Sequence, residues 1–540
     1  MRTFQIQTLS ILLFAVIGLL VTTSAAALAD TPARYVGEVD FEISCGSGTQ
    51  ETFEYGVAML HHMMYEQSRE VFTDLTEIDP FCAMSWWGVA MTYLHPLWAP
   101  PSKEELAKGL EAVNRAEQLK SFTERESAYV GAIKAFYRDF KAIKHPERIA
   151  RWEAEQEKLY RAWPDDIDAA AFYSLSHLAT APKADKTFTH QKEAGRILEG
   201  LHGKAPKHPA GFHYLIHAYD NPMLANKAVE VARGYNDIAP SVPHALHMPT
   251  HIFVRLGFWE DVAHWNRLSA DAAWQQSAGG VASLHYAHAM DYMVYANTQV
   301  GNDEGAKAAL DELNAVKVFQ DSFASAYAIA AAQARYPLER SSWAEAAELT
   351  VHTHPDFPWD NYPWFEAITH FAKGLGAARS GDAKAARKSV KTLDTIYDKT
   401  VETGQRYWAV LVDSQRKTVS AWAAFAEGKN KEALDLMKEG ADLEDSVDKH
   451  PVTPGAVLPA RELYGDMLAA TGRYNDAFEA YEASLAISAN RFKSLYGAGR
   501  AAELAGNKET ARSYYTKLKK LATKGSKRKE LTGVREYLGE

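Results

Sequence analysis

The most informative absences in this 540-residue chain concern basic charge, long apolar runs and signature motifs. The formal net charge is −10, so the chain lacks the concentrated basic surface that a nucleic-acid partner requires. Beyond residue 29, no stretch is apolar enough to span a bilayer. A glycine-rich phosphate loop and the HExxH pattern of zinc peptidases are also missing. Nucleic-acid binding, a membrane span in the mature chain and a peptidase of that type are therefore not expected.

Cysteine occurs only twice, at Cys45 and Cys82. At the N-terminus, Arg2, an apolar run over residues 11–21 and the small-residue pattern at 27–29 predict a cleaved signal peptide spanning residues 1–29. The mature protein is therefore expected in the periplasm or outside the cell, where disulfides persist. Cys45 precedes the first predicted helix and Cys82 follows the second, so an antiparallel helix pair would bring them together. A disulfide and a pair of buried thiols both fit this pattern.

Residues of the same type recur at a spacing of 34, which is the period of the tetratricopeptide repeat, a helical hairpin that stacks into a solenoid. The matched pairs are Gly465 and Gly499, Ala477 and Ala511, Tyr481 and Tyr515, and Pro206 and Pro240. No convincing set of strands appears. We predict an all-α fold, a tetratricopeptide-repeat α-solenoid in which helical hairpins form a right-handed superhelix with one continuous core.

The chain is predicted to divide into five segments. They are a signal peptide (1–29), an extended lead-in (30–48), N-terminal and central repeats with a histidine-lined groove (49–316), further helical repeats (317–457), and a C-terminal repeat pair with a basic end (458–540). In the first repeat, Gly56 is expected to permit close helix contact, Phe72 to fill the core and Pro80 to stop a helix. Helices are also predicted over residues 103–120 and 122–143, the second with a capping pattern from Thr123 to Glu126.

Several sequence blocks resemble a group of exported bacterial tetratricopeptide-repeat proteins. They are FEISC ending at Cys45, FEYGVAMLHH over residues 53–62, DPFCAMSWWGVAM over 79–91, HPLW ending at Trp98, PSVPHALHMPTHIFVRLGFWED over 240–261, and VTPGAVLPARELYGDML over 452–468. The resemblance extends over the whole mature chain. It implies a repeat fold, export, and binding of a partner or ligand. It implies no settled catalytic activity, so no catalytic residue is carried over from it.

Histidines repeat at the same spacing, since His213 and His247 are 34 residues apart and so are His217 and His251. By resemblance to known repeat folds, positions 2, 5, 9 and 12 of each repeat face the concave groove. These histidines fall at such positions, and so do residues from the next repeat. The expected metal- or ligand-binding set is His213, His217, His244, His247, His251, His288 and Asp291, with His285, Arg255 and Tyr214 as secondary candidates.

Imidazoles that converge from neighbouring helices are suited to Zn²⁺ or copper, and interleaved methionines such as Met248 and Met290 favour Cu(I). Asp291 would either bind the metal or orient an imidazole through its second nitrogen. Arg255 would hold an anionic group, and Tyr214 would be a polar contact. Two other interpretations remain open: a metal-free groove for a peptide or small ligand, and histidines with purely structural roles.

Pro249 leaves the local geometry open, because it lies between His247 and His251. It either kinks one helix or starts a new one, and in the second case His244 and His247 would lie on a loop. Histidines outside the central group are expected to have structural, rim or surface roles. These are His61, His62, His95, His177, His352, His354 and His370.

Together these patterns predict an exported binding or scaffold protein. Its histidine-rich concave groove would hold a protein segment or a small ligand, with copper or zinc as the candidate cofactor. The alternative is a copper- or zinc-dependent enzyme with its active site in the same groove. A third class is a scaffold that uses only its curved surface. No catalytic nucleophile can be nominated from the sequence.

Overall fold

Helical hairpins follow one another along the chain. The computed structural model describes residues 35–119, 123–182, 184–277, 279–522 and 527–540; the predicted signal peptide, residues 1–29, and the first residues of the lead-in lie outside them. The helices before the histidine-rich region are α1 (Gln50–His61), α2 (Tyr65–Ile78), α3 (Ala83–Thr92), α4 (Lys103–Leu119), α5 (Glu124–Tyr137), α6 (His145–Ala162), α7 (Ile167–Ala179), α8 (Thr189–Lys204), α9 (Pro209–Tyr219) and α10 (Val229–Ile238), the last preceded by a 3₁₀ turn over Ala225–Ala228.

The middle of the chain continues the same pattern and contains the two short strands. Its elements are α11 (Pro243–His247), α12 (Pro249–Leu256), α13 (Trp259–Gln275), β1 (Val281–Ala282), α14 (Leu284–Gln299), α15 (Asp303–Ala315), β2 (Val318–Phe319), α16 (Phe323–Glu339), α17 (Trp343–Ala347), a 3₁₀ turn (Trp359–Asn361), α18 (Pro363–Arg379), α19 (Ala383–Glu402), α20 (Arg406–Ala426) and α21 (Asn430–Asp445). The strands β1 and β2 pair in parallel, with Val281 opposite Val318.

The C-terminal helices are α22 (Ala460–Ala470), α23 (Tyr474–Ile487), α24 (Phe492–Leu504), α25 (Lys508–Leu521) and α26 (Lys529–Leu538). The predicted all-α solenoid of tetratricopeptide type is confirmed. The described residues from Val36 onward form one compact unit. Among the helices within the described ranges, none is long and apolar enough to cross a membrane.

Glycines permit the close helix contacts that the first repeat requires. A Cβ atom on Gly56 would lie 2.8 Å from the Phe72 ring, and one on Gly88 would lie 2.4 Å from it. Both distances are shorter than van der Waals contact, so only glycine lets the flanking helices approach the buried Phe72 ring. Helix α2 ends at Ile78, before Pro80, as the sequence predicts.

The helix expected over residues 122–143 is shorter in the structure. Its start is confirmed, since Thr123 and Glu126 form a complete capping box. It ends at Tyr137 because Arg138 takes an extended conformation and Asp139 has a positive φ of 60°. A left-handed residue cannot continue an α-helix, and nothing in the amphipathic pattern marked this position.

The buried apolar residues form three clusters instead of the single continuous core that was expected. The first runs from Val36 to Val300, the second from Ala270 to Met467 and the third from Leu468 to Val534. Helix α14 contributes to the first two clusters, and α22 contributes to the last two. The clusters are therefore adjacent layers that meet at shared helices, as stacked repeats require.

The last repeats also contact helices far away in the sequence. Trp259 Nε1 donates a hydrogen bond to the Asn490 carbonyl oxygen at 2.8 Å. Arg528 Nη2 donates to Asp303 Oδ1 at 2.5 Å. The chain therefore folds back on itself, whereas a simple repeat array contacts only its nearest neighbours.

Cys45 and Cys82 form a disulfide, with the sulfur atoms 2.06 Å apart. The bond ties the lead-in to the start of α3 and closes a loop with a sequence separation of 37. Such a cross-link stabilises the fold mainly by restricting the unfolded chain.

We expect a Cys45→Ala/Cys82→Ala variant to lose about 2–4 kcal/mol of unfolding free energy. Urea unfolding followed by circular dichroism measures the loss, with the oxidised wild-type protein as reference. Adding a reductant should move the wild-type transition towards that of the variant and leave the variant unchanged. Identical transitions for the two proteins would show that the disulfide contributes no stability.

Candidate metal centre

Three of the four helices that carry the central histidines begin with proline. Pro209, Pro243 and Pro249 each occupy the first position of a helix, where proline's missing N–H costs no hydrogen bond. His213 and His217 lie on α9, His244 and His247 on α11, His251 on α12, and His285 and His288 on α14.

The structure resolves the question that Pro249 raised. Helix α11 ends at His247 and α12 begins at Pro249, while Met248 between them keeps helical angles of φ −54° and ψ −38°. The backbone is therefore interrupted by proline but stays helical. His244 and His247 lie on a short helix and not on a loop.

Six of these histidines form two groups of three. In the first group, His213, His217 and His244 each offer a ring nitrogen, and the three nitrogens lie within 4.8 Å of one another. In the second group, the same limit holds for His247, His251 and His288. We call these sets triad 1 and triad 2. Each contains histidines from two or more helices that neighbour one another in space.

The two triads adjoin. The ring centroids of His217 and His251 are 5.6 Å apart, and those of His244 and His247 are 5.9 Å apart. A small cavity of about 10 Å³ lies between the triads, with enough space for about one water molecule. It is lined by Trp98, His217, His244, His251, Leu284, His288, Ala324, Pro451 and Val452. Members of both triads therefore face one small space.

Hydrogen bonds fix the orientation of two imidazoles in triad 2. His247 Nδ1 lies 2.7 Å from Asn266 Oδ1, and the Asn266 amide nitrogen donates to the Val262 carbonyl oxygen at 2.8 Å. Asn266 therefore presents its oxygen, so His247 Nδ1 is the donor. His251 Nδ1 lies 2.9 Å from Asp220 Oδ2, and this carboxylate accepts its proton in the same way.

With both Nδ1 atoms protonated, the Nε2 atoms of His247 and His251 are left with lone pairs. These two atoms face each other at 3.1 Å. Two lone pairs at this distance repel unless a cation lies between them. Two nitrogen ligands of a tetrahedral metal, each about 2.0–2.1 Å from it, are separated by roughly 3.3 Å. The observed spacing is close to that of two ligands on one metal ion.

Triad 1 has a similar arrangement. His213 Nδ1 donates to the carbonyl oxygen of His61 at 2.6 Å, which turns its Nε2 towards the interior. That Nε2 has no hydrogen-bond partner among the described residues, and neither ring nitrogen of His244 has one. Buried polar nitrogens usually have a partner, so these atoms are candidate ligands for an ion.

Burial keeps the imidazoles neutral. Desolvation holds the pKa of His213, His244, His247 and His288 well below 6.5, and neighbouring histidines lower it further. Burial also lowers the pKa of His285 to about 4. A neutral imidazole is the form that binds a metal ion, so protons compete little with a metal at neutral pH.

An ionic cluster supports His251 from the outer side. Burial alone would raise the pKa of Asp220, but Lys449 and Arg255 hold it well below the usual 3.8. Arg255 Nε donates to Asp220 Oδ1 at 2.8 Å, and its Nη2 donates to Asp448 at 3.1 Å. Lys449 also donates to Asp220. The ionised Asp220 therefore binds His251 and two cations at once.

Two of the three secondary candidates, Arg255 and Tyr214, have partners within the protein. Arg255 pairs with Asp220 and Asp448, as described above, instead of presenting its charge to a ligand. The Tyr214 hydroxyl hydrogen-bonds His61 Nδ1 at 3.0 Å. His285 is buried, and its Nδ1 has no partner in the part of the chain that the structure describes.

Asp291 lies apart from both triads. Its Oδ1 accepts a hydrogen bond from Arg335 Nε at 2.9 Å, in an ion pair whose side chains are both fully buried. Burial raises the pKa of Asp291 to about 6, although the charge of Arg335 opposes this. The structure thus places Asp291 in an ion pair, and it belongs to neither triad.

The structure differs from the expected open groove, because the triads lie in the interior. The Trp98 ring packs 5.3 Å from the His244 ring. Residues 446–459, which join α21 to α22, lie over the site and contribute Pro451 and Val452 to the small cavity. We call them the covering segment. It comes from a repeat about 200 residues away, so no local pattern could have revealed that it closes the groove.

Four important residues were missed or undervalued from the sequence. Asn266 lies on the outer helix α13, and Asp448 and Lys449 belong to the covering segment. Asp220 is only three residues after His217, but its partners Arg255 and Lys449 lie 35 and 229 residues further along the chain. A lone carboxylate near a histidine is a common feature, so the sequence did not indicate that Asp220 orients His251.

A third group, His61, Asp168 and His208, also has ligand atoms within 4.8 Å of one another. His61 Nε2 is 2.7 Å from Asp168 Oδ1, and His208 Nε2 is 3.4 Å from the same atom. The Ala210 N–H donates to His208 Nδ1, which leaves the proton of His208 on Nε2. His61 therefore hydrogen-bonds this carboxylate, whereas His208 Nε2 and Asp168 Oδ2 have no hydrogen-bond partner among the described residues.

The peripheral histidines pair with nearby residues. His62 contacts the Tyr235 hydroxyl at 2.8 Å, His177 contacts Glu153 at 2.6 Å and His352 contacts Glu366 at 2.9 Å. The rings of His95 and His354 pack against aromatic neighbours. His370 is partly buried, and its pKa is lowered by desolvation. None of these six belongs to a triad in the described ranges.

The sequence matches no known family model and no curated protein. Among solved structures, the chain is similar to the human IFIT1 dimer with m7Gppp-AAAA, at 12% identity and a TM-score of 0.38, over 82% of this chain and 90% of that chain. It is also similar to yeast Tom70, at 10% identity and a TM-score of 0.27, over 90% of this chain and 95% of that chain. The third is the APC/C hetero-tetramer Cut9–Hcn1, at 11% identity and a TM-score of 0.26, over 90% and 96%.

The chain is a helical-repeat protein of the tetratricopeptide type. This assignment rests on its own helical hairpins and 34-residue repeats. At the identities of the three solved structures, the likeness concerns the fold alone.

Proposed function

We propose that this repeat protein binds two transition-metal ions, copper or zinc, one in each triad. The observation that carries the proposal is the 3.1 Å distance between the Nε2 atoms of His247 and His251. In both imidazoles the Nδ1 atom donates a hydrogen bond to another residue, so both Nε2 atoms carry a lone pair. His213, with its Nδ1 bound to a carbonyl oxygen and its Nε2 without a partner among the described residues, repeats the arrangement in triad 1. Imidazole ligands suit both metals.

The burial of the histidines favours a metal over a peptide ligand. His213, His244, His247 and His251 are each at most 3% exposed. A protein segment could reach these imidazoles only after the covering segment had moved away. A protein or peptide partner, if the repeats bind one, would therefore contact another surface of the solenoid.

A second candidate function is metal-dependent catalysis. Each triad supplies three protein ligands, which is the number found in catalytic zinc sites that keep a position open for water or substrate. The small cavity between the triads is lined by histidines of both. A bound metal there would supply Lewis-acid chemistry or activate water or oxygen. The histidines would hold it, and Asp220 and Asn266 would keep the imidazoles oriented.

The proposed location is the periplasm or the extracellular space. The disulfide between Cys45 and Cys82 supports it, because such bonds persist in oxidising compartments and are rare in the cytosol. The N-terminal sequence pattern that predicts a signal peptide points the same way.

Elemental analysis of the full chain, exported by its own N-terminus and purified without a histidine tag, tests the metal proposal. We expect about two equivalents of copper or zinc per chain. The variants His213→Ala/His217→Ala and His247→Ala/His251→Ala should each lose about one equivalent. His264→Ala, an exposed histidine on α13, is the matched control and should retain both. A wild-type protein that holds neither metal after soaking with each ion would refute the proposal.

The role of Asp220 gives a second, independent expectation. Asp220→Asn should weaken metal binding in triad 2 by about 10- to 100-fold, because the carboxylate that orients His251 is lost. Competition with a chromophoric chelator measures the affinity. Asp448→Asn is the matched control, since Asp448 also binds Arg255 but hydrogen-bonds no triad histidine within the described ranges. Equal affinities for the two variants would show that Asp220 does not support the metal.

A further inference from the structure

The two triads offer nitrogen ligands alone. Within the described ranges, the ligand atoms that lie within 4.8 Å of one another are imidazole nitrogens in both triads. The two cysteines of the chain are joined in the disulfide, so no thiolate is available. A metal ion binds the neutral form of imidazole. The ligands therefore compensate none of the positive charge that a bound ion brings into the interior.

The charged groups around the triads cancel one another. Asp220 pairs with Arg255 at 2.8 Å and also with Lys449. Asp448 pairs with Arg255 at 3.1 Å. Two carboxylates thus face two cations, and their charges sum to zero. The buried ion pair of Asp291, described above, is neutral as well. The surroundings of the triads therefore present no net negative charge to a bound ion.

This lack of negative charge discriminates between monovalent and divalent ions. The free energy of moving an ion from water into a protein interior grows with the square of its charge, so it costs about four times as much for a divalent ion. The repulsion between two bound ions grows with the product of their charges and is likewise about four times larger for divalent ions. Because the triads are buried and adjoin, both effects favour monovalent ions.

The number of ligands gives an independent criterion. Protein-bound zinc is almost always tetrahedral, and copper(II) prefers a square-planar or tetragonal arrangement, so both need a fourth ligand. The ring of His285 lies 5.1 Å from that of His244, but His285 belongs to neither triad. The small cavity of about 10 Å³ has space for about one water molecule, which is too little to complete two such sites. Copper(I) forms stable three-coordinate complexes and needs no further ligand.

We propose that the triads are a site for two copper(I) ions and that they discriminate against zinc(II) and copper(II). This inference rests on the proposed function, because it names the ion that the same site takes. Imidazole is a suitable ligand for copper. Neutral ligands, a buried site without net charge and three ligands per ion together match a monovalent ion of low coordination number.

Dialysis of the chelator-treated full-length protein, without oxygen, against zinc(II) or against copper(I) kept reduced by ascorbate tests this inference. Elemental analysis then gives the bound metal. We expect about two copper(I) ions per chain but at most about one zinc(II) ion, and an excess of zinc should not displace the copper. Two zinc ions per chain, or displacement of the copper by zinc, would overturn this inference and leave the proposed function standing. Fewer than two copper(I) ions would also overturn it, and uptake of neither metal would overturn both.

His288→Asp tests the charge argument directly, because it places a carboxylate in triad 2. Its matched control is His288→Asn, which has nearly the same shape but no charge. We expect zinc(II) to bind the aspartate variant at least about tenfold more tightly than the asparagine variant, with a smaller difference for copper(I). Competition with a chromophoric chelator measures both affinities. Equal zinc affinities for the two variants would show that missing negative charge does not exclude zinc, and would overturn the inference.

Discussion

Acidification to about pH 5.5 is expected to cost the metal-free protein several kcal/mol of unfolding free energy. Buried histidines with a lowered pKa are responsible, among them His213, His244, His247, His285 and His288. In the unfolded chain a histidine has a pKa of about 6.5 and takes up a proton below that pH. The folded protein does not, so the unfolded state binds more protons and stability falls as the pH falls.

The size of the effect follows from this difference in bound protons. At about pH 5.5, each histidine that stays neutral in the fold favours unfolding by about 1.4 kcal/mol, and the five together by about 7 kcal/mol. Typical domains have an unfolding free energy of about 5–15 kcal/mol, so this loss is comparable to the total stability. Stability is retained above pH 6.5, where the unfolded chain is neutral as well.

Urea unfolding at about pH 7.5 and pH 5.5, after removal of metal by a chelator, measures this loss. His244→Phe should reduce it by about 1.4 kcal/mol, because one buried titrating group is gone and neither nitrogen of His244 has a hydrogen-bond partner among the described residues. His264→Gln changes an exposed histidine and serves as the control. The same unfolding midpoint at both pH values would contradict the burial of neutral histidines.

Replacing Arg491 by methionine is expected to destabilise the fold by about 3–5 kcal/mol. The Arg491 guanidinium is fully buried and bridges two carboxylates, with Glu339 at 2.9 Å and Glu462 at 3.0 Å. It also donates to the Tyr295 hydroxyl at 2.7 Å. Without the arginine, two carboxylates remain buried with no opposing charge, and helices α14, α16, α22 and α24 lose their common contact.

Thermal and denaturant unfolding of Arg491→Met measures this cost. Arg500→Met is the matched control on α24, the helix that begins directly after Arg491. Arg500 is about half exposed and pairs with Glu503 at 2.8 Å, so its loss should cost less than about 1 kcal/mol. Adding Glu339→Gln and Glu462→Gln to Arg491→Met should restore part of the lost stability, because the unpaired charges are then removed. Equal stabilities for the two arginine variants would show that the buried bridge contributes little.

The repeat period of 34 residues was enough to predict the fold class. Tyr481 and Tyr515 recur at that spacing because each fills the space beside glycines of neighbouring helices, including Gly465 and Gly499. Such contacts involve adjacent helices of each repeat, so the residues that make them recur at the repeat spacing. The capping box at Thr123 is equally local and was predicted for the same reason.

The identities of the triad histidines were also available from the sequence, but their grouping was not. The repeat spacing pairs His213 with His247 and His217 with His251, whereas the structure divides them as His213 and His217 in triad 1 and His247 and His251 in triad 2. Each triad joins two histidines four residues apart with a third histidine, His244 in triad 1 and His288 in triad 2. The repeat spacing alone could not give which side chain completes each group.

The sequence by itself determined an all-α repeat fold and the histidine-rich middle of the chain. It also gave a Cys45–Cys82 disulfide as one of two options, the other being two buried thiols. These features depend on contacts within a helix or between adjacent helices. Only the tertiary structure decided that the triads are buried. Only the tertiary structure shows that Lys449 hydrogen-bonds Asp220 and that Asn266 hydrogen-bonds His247. These contacts join residues up to 229 positions apart, and they arise where the solenoid folds back on itself. Periodicity encodes neighbouring repeats, but it does not encode which distant repeats meet.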